Sequence, residues 1–432
     1  MVYVRRTVDL ELDDLFPHVA AIALDGPKAV GKTTTAAQRA ADIMNLDRTA
    51  ERVPLEADPE LLLSRPRPLL IDEWQNVPEV WDVVRHAADR DPSGSQFLLA
   101  GSATPRAGAT AHSGAGRIGR LRMRPMTLEE RGVGKPAVSL TRLLEGGREQ
   151  LHGQTDVGLS RYVEEILASG FPALRSLSGR ARRFQLDSYL RNAVDRDVPE
   201  QGLAVRRPDA LMAWLRAYAA ATSSTAGYSQ ILDAATPGQG DKPARSTVDG
   251  YRRVLESLWL LDPVPAWELG GSQFTRLGRS PKHHLADPAL AARLLGLNEA
   301  KLLGTGGGPV GSEGKTVLGS MFESLATLCI RVAAQAAEAD VGHLRTRDGD
   351  HEVDLVVTRE DGAVLAIEVK AAGAVDDGDT KHLQWLRKQM GQRLIDSIIV
   401  NTGTAAYRRP DGVGVVPLAL IGVWRRAECD DT

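Results

Sequence analysis

Cysteine is nearly absent from this 432-residue chain. Its two cysteines, Cys329 and Cys429, have no metal-ligand spacing. A disulfide framework is therefore not expected, and a reducing, cytoplasmic setting is the simpler reading. An excess of one charge sign is also missing. Lys and Arg total 53 against 56 Asp and Glu, giving a formal net charge of −3 and a pI near 6.3. No whole-chain basic surface advertises nucleic acid, so any such contact must come from a local patch. No long uninterrupted apolar run is present, and no membrane span is expected. The opening stretch, MVYVRRTVDLELDDLF, has neither an apolar signal core nor a small-residue cleavage site. No repeat at a fixed period occurs. The composition, 43% hydrophobic and 25% charged, is that of an ordinary globular chain of two to four domains.

Against this plain background, one stretch near the N-terminus carries specific chemistry. VAAIALDG reads as a short buried strand. Gly26, four further residues, and then Gly31-Lys32-Thr33 follow it, and TTTAAQRAADIM after that has helical character. Strand, glycine loop and helix form the context in which this spacing cradles phosphate. Glycines let backbone N–H groups approach phosphate oxygens, and the helix N-terminus adds positive potential. Gly26, Gly31, Lys32, Thr33 and Thr34 are the candidate nucleotide-binding residues. Lys32 is expected on the β- and γ-phosphates, and the Thr33 hydroxyl on Mg²⁺. ATP and Mg²⁺ are the expected cofactors.

The hydrophobic run Leu69 to Ile71 ends in Asp72 and Glu73. An acid at the end of a buried strand can hold Mg²⁺, and a second one beside it can polarise the attacking water. This pair favours an ATPase over a small-molecule kinase, which has less need of a water-activating acid. A third strand, in SQFLLAGSATP, ends at Ser102, and Ser102 or Thr104 is placed to sense the γ-phosphate. Arg117, Arg120, Arg122 and Arg124 follow, either as phosphate contacts in cis or in trans or as the solvated face of an edge strand.

The blocks LLIDEWQNVPEVWDVVRHAAD, FLLAGSATP, AGRIGRLRMRPMTLEE and ILASGFPALR resemble a widespread prokaryotic AAA+-like ATPase family. Members of that family carry a C-terminal domain of unknown function after the ATPase. The resemblance implies Lys32 and Thr33 as nucleotide ligands, Asp72 and Glu73 as the Walker B acids, Ser102 as the sensor and Arg117 at the Gly-Arg block. The stretch from Leu46 to Leu63 departs from the pattern, and RVPLEAD is the best candidate there for the second strand.

The ATPase domain is expected over residues 1–135. GVGKPAVSLTRLLEGGREQLHGQTDVGL then reads as a linker with one short helical run. Residues 136–303 read as a helical and winged-helix region. Its proposed recognition helix, ARSTVDGYRRVLESLWLL, offers Arg245, Thr247, Arg252 and Arg253 to DNA, while Asp249 and Glu256 dilute the charge. LDPVPAW and HHLADPAL are the candidate wing strands. His283 and His284 lack companion ligands and read as wing or loop residues. Residues 304–314, GTGGGPVGSEG, form a glycine linker.

Residues 315–432 hold a second constellation. GSMFESLATLCIRVAAQ reads as a helix with Glu323 in its first turn. HLRTRDGDHEVDLVVTREDG reads as a hairpin carrying Asp354, and AVLAIEVKAAG as a strand with Glu368 and Lys370 on one face. Two carboxylates can bind Mg²⁺, and a lysine beside them can position water. An acid followed by Glu-x-Lys on a helix-flanked sheet resembles the PD-(D/E)xK nuclease superfamily. The resemblance implies Asp354, Glu368 and Lys370 as catalytic residues, with Asp354 and Glu368 on the metal and Glu323 as the helical acid.

The expected fold is thus α/β: a P-loop NTPase parallel sheet, a helical and winged-helix region, then a restriction-endonuclease-like α/β domain. Two functions stay open. One couples ATP to a DNA-binding or DNA-processing module. The other is a nucleotide-dependent interaction switch with a non-cleaving nuclease-like domain. DNA, a protein partner or a second copy of the chain are the candidate partners beside ATP.

Overall fold

A computed structural model describes residues 3–101, 115–146, 151–236, 245–267, 269, 280–304, 316–346 and 349–423. The N-terminal sheet consists of β1 (Ala21–Asp25), β2 (Asp42–Asn45), β3 (Leu69–Asp72), β4 (Phe97–Ala100) and β5 (Ile118–Arg122). Their order is β2-β3-β4-β1-β5, and every pairing is parallel. The strands are short and apolar because both faces are covered: β3 and β4 are buried along their whole length. β4 lies between the strand that feeds the glycine loop and the strand that ends in Asp72.

Two local expectations change. The helix after the loop stops at Lys32–Ala37, and β2 begins five residues later. RVPLEAD, expected as the second strand, lies in the helix Thr49–Ala57 and the turn after it. The true β2, DIMN, buries only Met44, so no hydrophobic run marks it. It is a strand because it pairs with β3, Asp42 opposite Leu69 through Asn45 opposite Asp72. The helix Thr49–Ala57 buries Leu55 alone and presents an Arg52–Glu56 pair along its outer side.

The stretch expected as a linker is docked rather than free. It contains β6 (Val138–Ser139) and the helix Leu140–Leu144, and β6 pairs with β13 (Ile421–Gly422) at the far end of the chain. Leu140, Leu143 and Leu144 are buried, which explains a short apolar run inside an otherwise polar segment.

The helices Gly179–Asn192, Pro208–Ala220, Tyr228–Ala235 and Arg245–Ser257 occupy the middle of the chain. LDPVPAW and the segment from Lys282 do pair, through the antiparallel bridges Leu261–Leu285 and Val264–Lys282. A parallel bridge from Ala266 to His343 fastens this ribbon to the next sheet. His283 and His284 are core residues, not loop residues. The His283 ring stands edge-to-face with the Tyr218 and Tyr228 rings, and its Nε2 lies 2.7 Å from the Ala226 carbonyl. Burial pushes the His284 imidazole well below its usual range, and the Lys282 charge adds to this.

The C-terminal sheet has six strands: β7 (Ala339–Arg345), β8 (Glu352–Arg359), β9 (Val364–Lys370), β10 (Leu394–Asn401), β11 (Tyr407–Arg408) and β12 (Gly414–Pro417). β7, β8 and β9 form an antiparallel meander, while β9, β10 and β12 run parallel. Leu355, Val357, Leu365 and Ile367 pack into the same core as the helix Val317–Ala336. Val356, Val364 and Ala366 pack with Leu383 and Leu386 of the helix Asp377–Met390, so alternation places one helix on each face. The helix Val317–Ala336 is long and apolar enough to cross a bilayer by length and composition, yet most of it is buried inside the structure. Glu323 is its seventh residue and so sits in the second turn, not the first. Cys329 is buried in this helix, and burial pushes its thiol up to about 11. Cys429 lies outside the described residues.

Candidate functional site

The glycine loop is shaped by close approach. Gly26 and Gly31 have φ values of 155° and 107°, and Ala29 between them also lies at positive φ. A Cβ on Gly26 would stand 2.2 Å from the Met123 carbonyl oxygen, so only glycine fits. Lys32 opens the helix, and its ammonium donates to the carbonyls of Gly26 and Pro27 at 2.7 and 2.9 Å. Burial lowers its pKa to about 8, while Glu73, Asp25 and Asp72 oppose that shift. The lysine is thus a buried cation at the mouth of the loop, surrounded by acids.

Thr33 and Asp72 meet. The Thr33 hydroxyl donates to Asp72 Oδ1 at 2.6 Å, and Asn45 Nδ2 donates to Oδ2 at 3.2 Å. Burial pushes the Asp72 carboxyl up, and the Thr33 hydrogen bond counters it. A hydroxyl and a carboxylate side by side are hard oxygen donors, so this pair fits Mg²⁺. Glu73 follows with φ 53° and ψ 43°, a left-handed conformation rare outside glycine. Gln75 Nε2 donates to its carboxylate. A strained residue next to the acid at a strand end suits a side chain aimed at a ligand.

The arginine block divides. Arg120 grips Asp25, the last residue of β1, through two bonds of 2.7 and 3.1 Å. Arg117 precedes β5 at the opposite end of the sheet and pairs with Asp89 at 2.6 Å. Five strand residues at about 3.3 Å each separate it from the phosphate end, so the fold does not bring Arg117 to the loop of its own chain. Ser102 and Thr104 lie outside the described residues.

Arg122 and Arg124 point into the body of the protein. Together with Arg331 they surround Asp262, at 3.0, 2.9 and 2.7 Å. Burial alone would raise the Asp262 carboxyl, but Arg122, Arg124 and Arg331 outweigh it and hold the group well below the usual carboxylate range. Burial lowers Arg122 to about 10 and Arg331 to about 9. This hub joins the ATPase sheet, the middle ribbon and the helix Val317–Ala336. No sequence motif marks Asp262.

A second connection reaches the loop itself. Lys28 Nζ donates to Asp197 Oδ1 at 2.6 Å and lies 3.9 Å from Glu200. Tyr189 donates to the Lys28 carbonyl at 3.3 Å. Asp197 closes a π-helical turn, Ala193–Asp197, that continues the helix Gly179–Asn192. Such turns recur at functional positions because they shift side chains out of helical register.

The expected DNA helix uses part of its basic set internally. Arg252 lies over the Tyr228 ring at 4.7 Å and 3.8 Å from Asp249. Arg253 and Thr247 are exposed, and the Arg245 side chain lies outside the described residues.

In the C-terminal domain the expected acids are buried: Glu323, Asp354 and Glu368 are each at most 5% exposed. Lys370 Nζ lies 3.6 Å from both Glu368 and Asp379, so the expected shared face of Glu368 and Lys370 is present. Asp354 Oδ2 accepts the Val369 backbone N–H at 2.9 Å where the β8–β9 register ends. Its other oxygen is taken by Lys282, a residue that no motif marked. Asp354 and Glu368 are the acids expected on Mg²⁺, and the structure sets a lysine against Asp354. An ammonium lies among the acids, and among the described residues no group of three or more His, Cys, Asp or Glu is arranged for a metal ion.

A parallel sheet, a glycine loop with its lysine, and an Asp-Glu pair two strands away define a P-loop nucleotide-binding domain. Residues 18–132 match the model of the AAA domain family, which supports a P-loop ATPase domain in this part of the chain. Residues 159–301 and 318–421 match two domains of unknown function, DUF8612 and DUF4143. Uncharacterized proteins of Mycobacterium bovis and Mycobacterium tuberculosis are each 27% identical over 381 residues, covering 86% of this chain and 74% of theirs. A Walker-type ATPase of Pyrococcus abyssi aligns at 15% identity and a TM-score of 0.39, over 68% of this chain and 96% of that one.

Proposed function

We propose that this chain is an ATP-driven switch. ATP binds at the loop Gly26–Gly31, its phosphates held by backbone N–H groups and by Lys32. Mg²⁺, held by Thr33 and Asp72, supplies charge neutralisation on the phosphates. Glu73 accepts the proton of the attacking water. The nucleotide state then passes to the helical region and on to the C-terminal domain, which serves as a binding module.

The observation that carries this reading is the Lys28–Asp197 ion pair, 2.6 Å long, between the phosphate loop and the helical region. A phosphate in the loop competes with Asp197 for the Lys28 ammonium, and the π-helical turn is the element released. Hydrogen exchange across residues 179–200, with and without ATP, tests it. Faster exchange with ATP in the wild type and no response in Lys28→Ala are expected. An unchanged wild-type pattern despite bound ATP counts against the switch.

A second reading, DNA processing by the C-terminal acids, draws on Glu323, Asp354, Glu368 and Lys370. The Lys282 contacts favour the non-cleaving version. Plasmid nicking with Mg²⁺ and ATP separates the two: cleavage lost in Asp354→Ala would restore the nuclease.

A further inference from the structure

The helix Gly179–Asn192 turns two different faces inward and outward. Leu186 and Leu190 are buried on its inner side, Tyr189 packs against Phe171, and Arg182 donates to the Leu174 and Leu177 carbonyls. Arg180, Arg183, Phe184, Asp187 and Arg191 are spaced at i, i+3, i+4, i+7 and i+11, so they share the opposite side. Phe184 is 67% exposed, more than any other large hydrophobic side chain among the described residues. A ring in that position adds nothing to the core. Asp187 is the one acid of this helix, and Arg293 of the neighbouring helix Pro288–Leu294 grips it through two bonds of 2.7 Å. The face thus sets Arg180, Arg183, Arg191 and Arg293 against a single carboxylate, on a chain whose net charge is −3. Among the described residues neither Arg180 nor Arg183 has an ion-pair partner.

We infer that this face binds single-stranded nucleic acid. The arginines supply counter-charge to a phosphate backbone, and Phe184 supplies a surface on which a base stacks. A single strand offers both an anionic backbone and open base faces. In a duplex the bases are stacked on one another and closed to the ring, and an acidic peptide would meet the arginines while leaving Phe184 unused. From Arg180 to Arg191 the face runs about 16 Å along the helix axis. The helix Arg245–Ser257 is the poorer platform, because it engages Arg252 with Tyr228 and Asp249. On the inner side of Gly179–Asn192, Tyr189 donates to the Lys28 carbonyl of the phosphate loop at 3.3 Å. A bound strand would therefore lie about one helix diameter, roughly 10–12 Å, from that loop. The inference concerns binding alone and does not rest on the switch reading.

The test uses the full-length, nucleotide-free chain and the fluorescence anisotropy of labelled oligothymidylate and oligouridylate strands of about 16 nucleotides. Binding that weakens with salt is expected, and the tighter strand assigns the face to DNA or to RNA. Arg180→Glu/Arg183→Glu should weaken binding by about tenfold or more and flatten the log–log salt slope by about 1.4, the share of two phosphate contacts. Phe184→Ala should weaken binding about 5–150-fold, the contribution of one stacked base, at an unchanged salt slope. Phe184→Trp should keep the wild-type affinity. All three side chains are exposed, so these substitutions leave the core intact. The inference is overturned if no strand binds at low salt, if the variants bind as the wild type does, or if a blunt duplex is held as tightly as a single strand. It is equally overturned if Arg253→Glu, on the helix Arg245–Ser257, causes the loss instead. Polyglutamate displacing the strand as well as unlabelled oligothymidylate does would assign the face to an acidic protein and overturn it too.

Discussion

Lys28 of the phosphate loop lies 2.6 Å from Asp197, a residue 169 positions further along the chain. Burial alone would lower the Lys28 pKa, but Asp197 and Glu200 raise it above its ordinary value. The pair is partly exposed, 42% for Lys28 and 15% for Asp197, so it is worth about 0.2–1 kcal/mol. Asp197→Ala should then tighten ATP binding by up to about fivefold, because Lys28 no longer has to leave a partner. Titration with a fluorescent ATP analogue checks this, and weaker binding would contradict it.

Lys32 and Glu73 have different expected effects. Lys32→Ala removes the buried ammonium and should abolish ATP binding. Glu73→Gln keeps the loop and the Thr33–Asp72 pair, so binding should persist. Hydrolysis should drop about 10²–10⁴-fold, the usual share of a general base. Comparable loss of binding in both variants would remove Glu73 from the chemistry.

Asp262 is the shared counter-charge of three arginines at a junction of three parts of the chain. Asp262→Asn leaves their charges buried without the counter-charge, a loss of about 3–5 kcal/mol. A fall in Tm of roughly 6–20 °C follows for a domain of 150–250 residues. Scanning calorimetry reads it directly. A change below 2 °C, roughly the effect of a surface substitution, would show the hub to be dispensable.

Two buried histidines make stability depend on mild acid. Burial lowers His343 to about 4 and His284 well below its usual range, and Lys282 adds to both shifts. The unfolded chain binds protons on these groups near pH 6.5, while the folded chain does not. Their contribution is complete above that pH and is lost as pH falls from about 6.5 toward 4. Glu11 acts in the opposite sense. Burial raises it to about 7, so its stabilisation is present below pH 4.5 and disappears as pH rises through 7. Urea titrations across pH 4–7 should show lower stability at the acid end, with a shallower slope in His343→Gln and a steeper one in Glu11→Gln. A flat profile in Glu11→Gln, where nothing opposes the histidines, would mean that they do not destabilise the folded chain in acid.

The legible parts of the sequence were those whose partners are close in the chain. Gly26 to Thr33 is one turn and the start of one helix, so its spacing alone states its chemistry. Glu368 and Lys370 are two residues apart on a strand, and period two puts them together. β2 was illegible because only Met44 of its four residues is buried, and because its identity as a strand depends on pairing with β3. Arg117 sits at the right place in the motif, and only the register of β5 shows that it lies away from the loop of its own chain.

The sequence by itself determined a phosphate loop, the acids that complete it, and a set of carboxylates with strand spacing near the C-terminus. Each is a short-range pattern, set by φ freedom, by helix and strand periods and by side-chain type. Only the tertiary structure decided what those groups do to one another. Asp354 meets Lys282 across 72 residues, Arg124 meets Asp262 across 138, and Lys28 meets Asp197 across 169. A buried charge is tolerable only beside its counter-charge, and which counter-charge arrives is fixed by the packing of whole elements rather than by the residues around it.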